Sequence, residues 1–192
     1  MPGYLTYAIA RLRGFCQALG ANCRGAALVE MGMVAPVLVG LMLGGYETAR
    51  FLYISQKVQR TAMTLADLAA RGQTMDANDL NNLFAAAGEV ARPLTLPVDG
   101  RAVVSSVVPD ADGNPVVDWQ RDDGALAASS RVGTQGDVAT IADQALVADE
   151  QSVIVAEVFY SYEPQFTPII PSTTIYQQSV FRPRLSRTVE LE

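Results

Sequence analysis

Gly25 and Glu30 stand five residues apart at the head of an apolar run, and their types and spacing are the ones in this chain that can do chemistry. A peptidase cut after Gly25 would leave Ala26 with a new α-amino group. Glu30, one turn further on, would then face that amine or the amine of an adjacent copy. In a low-dielectric surrounding such a pair sets the register between assembling helices. The alternative is an acid that simply sits at a membrane interface. There, snorkelling relieves much of the about 2.5–3.5 kcal/mol that an acid costs at the middle of a span.

Other chemistry has little to stand on. The chain has no His, and its two cysteines, Cys16 and Cys23, both precede the apolar run. The 121 residues from Gly72 to Glu192 therefore hold no disulfide and no ordinary zinc site, and their fold must rest on packing. Asp110-Ala-Asp112-Gly-Asn114 resembles the start of a calcium loop. That pattern requires Gly at its sixth position and Glu at its twelfth, where Pro115 and Arg121 stand, so a turn is the better reading. Asp122 and Asp123 lie in a turn-rich stretch where solvated acids are expected. No Gly-rich phosphate loop follows a strand. The sequence assigns no catalytic residue, no cofactor and no metal site, and an enzyme is not expected.

The element that must carry Gly25 and Glu30 is a helix. Ala26 to Tyr46 is 21 residues with Glu30 as its one charge. Roughly 20 residues at about 1.5 Å each cross a hydrocarbon core of about 30 Å, so this stretch is read as a membrane span. A cleaved secretory signal is the main competitor. Its apolar region is usually about 7–15 residues long and ends in a small-x-small site, whereas here helical patterning continues past the run. Gly32, Pro36, Gly40 and Gly44 recur every four residues, a ridge of small side chains on which helix backbones can approach in lipid. Such residues are also simply common in membrane helices, and Pro36 removes one helix hydrogen bond.

Beyond the span, Ile54, Val58, Thr61/Ala62, Leu65 and Leu68/Ala69 form an apolar stripe at helical steps, and Gly72 is a natural stop. The spacing predicts one helix from Ala26 to Arg71, about 69 Å long at the standard rise, with its second half standing out of the bilayer as a stalk. Before the span, Leu5, Ala8, Ile9, Leu12, Phe15, Cys16 and Leu19 suit either a short amphipathic surface helix or a disordered leader. Residues 1–71 carry a net charge of +4 and residues 72–192 a net charge of −10. Basic residues flank both ends of the span, and the acidic remainder favours a cytoplasmic N-terminus with the C-terminal part moved across. An acidic C-terminal part also speaks against nucleic acid as a partner.

A second helix is predicted after the capping cluster Asp76-Ala-Asn78-Asp79, with Leu80, Leu83, Phe84, Ala87 and Val90 on its apolar face. Arg101–Val108 and Val116–Gln120 read as a β-hairpin around Asp110–Pro115. Residues 121–136 read as a loop, and Val138–Val147 as a short helix or an irregular apolar stretch. Ser152–Tyr162 is the strongest strand, Glu163–Ser172 a proline-punctuated loop, and Thr173–Phe181 a last strand. The expected fold class is α+β: a long N-terminal transmembrane helix continuing as a stalk, packed by a small antiparallel sheet domain with one further helix. The expected domains are a cytoplasmic leader over 1–25, the transmembrane half of the helix over 26–46, its stalk over 47–71 and an extracytoplasmic α+β domain over 72–192.

Gly25-Ala-Ala-Leu-Val-Glu30, the apolar run with Ala35-Pro36, and Glu47-Thr-Ala-Arg50 together resemble the TadE/TadG family of Tad (Flp) pilus assembly proteins. The resemblance is specific over about Arg24–Ala70 and extends weakly to the Val-x-Val-x-x-x-x-Tyr-x-Tyr-x-Pro pattern at Val153–Pro164. It implies a pilin-like, minor-pilin component of a Tad-type system, acting in pilus assembly, adhesion and biofilm formation. It implies a single-pass protein of the bacterial inner membrane whose partners are other pilin-like subunits and Tad secretion components. Some members are cut by a prepilin peptidase and others keep the leader. Flp-type major pilins follow the Glu with Tyr, whereas Met31 follows it here. An uncleaved single-span binding or sensory module is the alternative.

Overall fold

The computed structural model describes residues 24–141, 152–166 and 170–191. The expected leader helix or coil over 1–23, and most of the stretch Val138–Val147, lie outside the described residues. Two compact units divide between Tyr46 and Glu47. One helix, α1 (Arg24–Ala69), runs through the division with Pro36 inside it. It ends two residues before the expected Arg71, and Ala70 and Arg71 follow as a turn whose N–H groups bond back to Ala66 and Leu68.

The described part of the first unit is the apolar half of α1. Its large side chains, Leu28, Met33, Val37 and Leu41 among them, are exposed. A helix this apolar, with no residue of its apolar half buried, is long enough to cross a membrane.

The second unit begins at Glu47. From there α1 turns one face inward: Ile54, Val58, Ala62, Leu65, Ala66 and Ala69 are buried, and Thr61 satisfies its hydroxyl on the Lys57 carbonyl at 2.9 Å. This is the predicted stripe, with Leu68 only half-buried. Each fully buried aliphatic side chain contributes about 1.5–3 kcal/mol, so a stripe of this length is enough to seat the helix. β1 (Thr74–Met75) follows, then α2 (Ala77–Ala91). Asp76 caps α2: its carboxylate accepts the Asp79 N–H at 2.7 Å, while the Asp79 carboxylate accepts the Asp76 N–H at 3.2 Å. Leu80, Leu83, Ala87 and Ala91 face the core, and the single turn α3 (Leu96–Asp99) leads into the sheet.

The main sheet has four antiparallel strands: β2 (Gly100–Pro109), β3 (Pro115–Asp123), β4 (Val153–Tyr162) and β5 (Thr173–Phe181). Their order is β3-β2-β4-β5. The hairpin, the strong strand and the last strand thus stand where the sequence puts them. The β2–β3 turn explains the Asp110–Asn114 cluster. The Asp110 carboxylate accepts the N–H groups of Asp112 at 2.9 Å and Asn114 at 2.7 Å, and Gly113 takes φ +83°. These bonds, the Asn114 N–H first, hold the Asp110 carboxyl below the usual Asp range.

Strand side chains alternate between faces, and in β4 both faces are buried. Ile154, Ala156, Val158 and Tyr160 join α1 and α2 in the larger core. Val153 and Val155 join Val107, Val117, Val132, Ala139 and Ile141 in a second cluster on the other face. The sequence reads residues 121–136 as a loop and Val138–Val147 as a short helix or an irregular stretch; instead 121–123 complete β3, and 124–141 cover that second face with Val132, Ala139 and Ile141. Two further features went unread in the sequence. The short β6 (Glu190–Leu191) pairs in parallel with β1, and the Trp119 indole donates to the Val189 carbonyl at 2.7 Å, so the C-terminal tail closes the end of the core.

Candidate functional site

Gly25, Ala26 and Glu30 lie in the first two turns of α1, all exposed. Glu30 has no ion-pair partner among the described residues, and the expected alternative partner, Arg24, lies outside the described side chains. Gly32, Pro36, Gly40 and Gly44 follow along the i, i+4 ridge of the same helix. A Cβ built on Gly25, Gly32 or Gly40 would meet nothing within 4 Å. The structure therefore places the expected processing residues and the expected packing ridge on one helix, with open space at Gly25, Gly32 and Gly40.

The densest polar arrangement on α1 lies just beyond them. Glu47 is 0% exposed, on the same side of the helix as Ile54 and Val58. Its carboxylate accepts the hydroxyl of Tyr162, the N–H of Gln165 at 3.2 Å and the N–H of Phe166 at 3.3 Å. Arg50, one turn on, pairs with it at 3.4 Å and donates to the Glu163 carbonyl at 2.7 Å. The Arg50 guanidinium also lies over the Tyr162 ring, 5.3 Å from its centroid, and Phe51 meets that ring edge-on at 5.1 Å. Burial first, and then the Glu47 carboxylate, push the Tyr162 phenol up from its ordinary value, so it remains a donor. A buried acid supplied with this many donors is a clamp, holding the end of β4 and the β4–β5 loop to α1.

The sequence reading used Glu47 only as a charge and as part of the family resemblance. A sharper signal was present. Glu47, Ile54, Val58 and Leu65 share one helical face, so an acid in the apolar stripe required a buried donor. The tyrosines at the end of the strongest strand were candidates.

A second buried acid, Glu157, sits on the opposite face of the sheet. It accepts the Ser130 hydroxyl, the Arg131 N–H at 2.9 Å and the Tyr176 hydroxyl at 3.0 Å. The Arg131 guanidinium stacks on the Tyr176 ring at 4.0 Å. This network pins 124–141 over the second core.

Fold and site together describe an α+β protein carried on a long helix whose first half is apolar and uncovered. Residues 25–67 match the family of TadE-like proteins, which bears out the resemblance drawn from Gly25–Glu30, the apolar run and Glu47–Arg50. The match falls on a helix that is long and apolar enough to cross a membrane. It covers α1 up to Asp67 and stops short of the sheet. No curated protein and no solved structure matches the chain significantly.

Proposed function

We propose that the protein is a pilin-like subunit, of minor-pilin type, that works in Tad pilus biogenesis and surface attachment by packing rather than by catalysis. The observation that carries this reading is the family match over 25–67, falling on a helix whose apolar half is uncovered. Residues 1–25 are the cytoplasmic leader, 26–46 cross the inner membrane, and 47–71 and 72–192 are the extracytoplasmic stalk and domain. Its partners are neighbouring pilin-like subunits and Tad secretion components, meeting it along Gly32, Pro36, Gly40 and Gly44. A prepilin peptidase removes the leader after Gly25, and Glu30 then pairs with the freed amine of Ala26 or of an adjacent subunit.

Mass spectrometry of the mature N-terminus tests the processing step directly. The expected species starts at Ala26, and Gly25→Leu abolishes it, because a pocket shaped for Gly has no room for a larger side chain. Glu30→Ala is expected to insert normally but to yield few or no pili. Normal piliation and attachment in that variant would overturn the paired-charge role. A deletion strain with normal pili would move the protein to the competing class, a single-span binding or sensory module.

A further inference from the structure

Beside the Glu47 clamp lies a cavity of about 230 Å³. Arg50 and Ile54 of α1, Asp99 at the end of α3, Tyr160 and Tyr162 of β4, and Glu163 just past it line its wall. All six belong to the unit that begins at Glu47. Tyr160 makes this more than a packing gap. Its side chain is nine-tenths buried, at 9% exposed, and its hydroxyl has no hydrogen-bond partner among the described residues. Nor is that oxygen sealed in: among the described residues the enclosed side-chain atoms without a partner are Arg101 Nε and Ser106 Oγ. The Tyr160 hydroxyl therefore opens on the cavity that its residue lines. Tyr162, two positions on along the same face of β4, shows the contrast, since its hydroxyl is spent on the Glu47 carboxylate. A buried hydroxyl normally finds a partner, because an unmet one keeps its desolvation cost. For Tyr160 that partner has to enter the cavity.

The charges around it select what enters. Asp99 and Glu163 are exposed and stand at the mouth, and neither carboxylate has an ion-pair partner among the described residues. One Asp99 oxygen accepts the Thr95 hydroxyl, and the other is left over. Glu163 meets Arg50 through its backbone carbonyl, at 2.7 Å, and not through its side chain. Arg50 is the positive group of the wall, and the buried Glu47 already matches its charge at 3.4 Å. What remains is a surplus of negative charge and of acceptors: two carboxylates and a phenol oxygen. An anion would face two like charges there. An ammonium brings three N–H donors and a guanidinium five, enough to meet all of these oxygens.

We propose that this cavity binds the cationic end of an alkyl chain, a primary ammonium or a guanidinium group. The Tyr160 hydroxyl and the carboxylates of Asp99 and Glu163 accept its N–H donors, and Ile54 lies against its methylenes. Long basic chains bind in this divided way, the stem on apolar surface and the head among polar groups. The cavity holds one such chain end and no more, so its ligand is either a free amine or one basic side chain of a neighbouring chain.

The test is a titration of the full chain in detergent with n-butylammonium, followed by the amide NMR signals of ¹⁵N-labelled tyrosine and isoleucine. Tyr160 and Ile54 are expected to shift saturably, while Tyr176, on the opposite face of the sheet, stays put. Butyrate and 1-butanol, of the same length, are expected to give no saturable shift. Tyr160→Phe removes only the hydroxyl and should weaken butylammonium binding about tenfold, the worth of one hydrogen bond to a charged group. Asp99→Asn with Glu163→Gln should abolish it. The emission of Trp119, the single tryptophan, buried and bonded to Val189, reports whether each variant is folded. Putrescine and Nα-acetyl-lysine amide separate the two sources. Tighter binding of putrescine supports the site with a free amine as its ligand, and tighter binding of the capped lysine supports it with a side chain. An equal response to 1-butanol would mean an apolar gap, and preference for butyrate an anion site on Arg50; either overturns the proposal. So does a wild-type chain that responds to none of the probes, or a folded variant of either kind that binds as the wild type does.

Discussion

Glu47 is the residue on which the fit between helix and sheet turns. A carboxylate buried without donors would be heavily destabilising, and here Tyr162, Gln165, Phe166 and Arg50 all supply one. Glu47→Ala leaves those donors unmet, whereas Glu47→Gln keeps one acceptor oxygen in place. The unfolding midpoint of the full chain in detergent should therefore fall in the order wild type, Gln, Ala; an Ala variant as stable as wild type would mean that the clamp contributes nothing. Tyr176 allows a test by pH. Burial and then the Glu157 charge raise its folded pKa above the ordinary phenol value of 10.0. A raised phenol pKa favours the fold while the unfolded phenol is still protonated. The stabilisation is therefore whole below that ordinary value and is lost as the pH climbs through the folded value. Tyr176 and Tyr162 should ionise above the ordinary phenol value in an absorbance titration. Tyr176→Phe should delete part of that late step; an unchanged late step would place Tyr176 in the ordinary population.

At the scale of elements, periodicity carried the reading where one face of one element met one core. The α1 stripe, the α2 cap and apolar face, the hairpin and the last two strands were all legible, because local spacing and turn chemistry agree there with the final packing. The cover over 124–141 was not. It is held by single long-range bonds, such as Gln120 to the Gly133 carbonyl and Ser130 to Glu157, which leave no period in the sequence. β6 escaped for the same reason, being two residues paired with a strand more than a hundred positions earlier. The small-residue ridge on α1 was legible as a pattern but not as an interface, since a single chain shows only that Gly32 and Gly40 face open space. That openness makes the ridge testable. A Cβ at Gly32 or Gly40 meets nothing within 4 Å in the monomer, so a lost interaction of the Gly32→Leu, Gly40→Leu pair in a membrane two-hybrid assay would point to the partner's side of the contact. The pair is expected to weaken association at an unchanged expression level, and undiminished association would mean the ridge is not used.

The whole molecule is asymmetric in charge as well as in hydropathy, the charge dividing at Arg71/Gly72 and the hydropathy at Tyr46/Glu47. The segment up to Arg71 is net positive and the rest strongly negative, while the uncovered apolar helix stops where the compact α+β unit begins. Basic residues near a span resist translocation, and acids weigh little. Arg11, Arg13 and Arg24 lie before the span and Arg50, Lys57 and Arg60 after it, so the count alone does not decide, and the proposed cytoplasmic N-terminus is favoured by the acidic remainder. Arg50 is not a free cation in the folded protein: it is paired with Glu47, lies over the Tyr162 ring and donates to the Glu163 carbonyl. The expected topology places the sheet outside the cytoplasm. Ala111, exposed in the β2–β3 turn, is a suitable reporter, because the Asp110–Asn114 bonds that shape this turn do not use its side chain. With Cys16 and Cys23 replaced by Ser, Ala111→Cys should react with a membrane-impermeant maleimide in intact spheroplasts as fully as after lysis. A thiol that reacts only after lysis would place the domain in the cytoplasm, and the leader, span and stalk would then have to be read in the opposite order across the membrane.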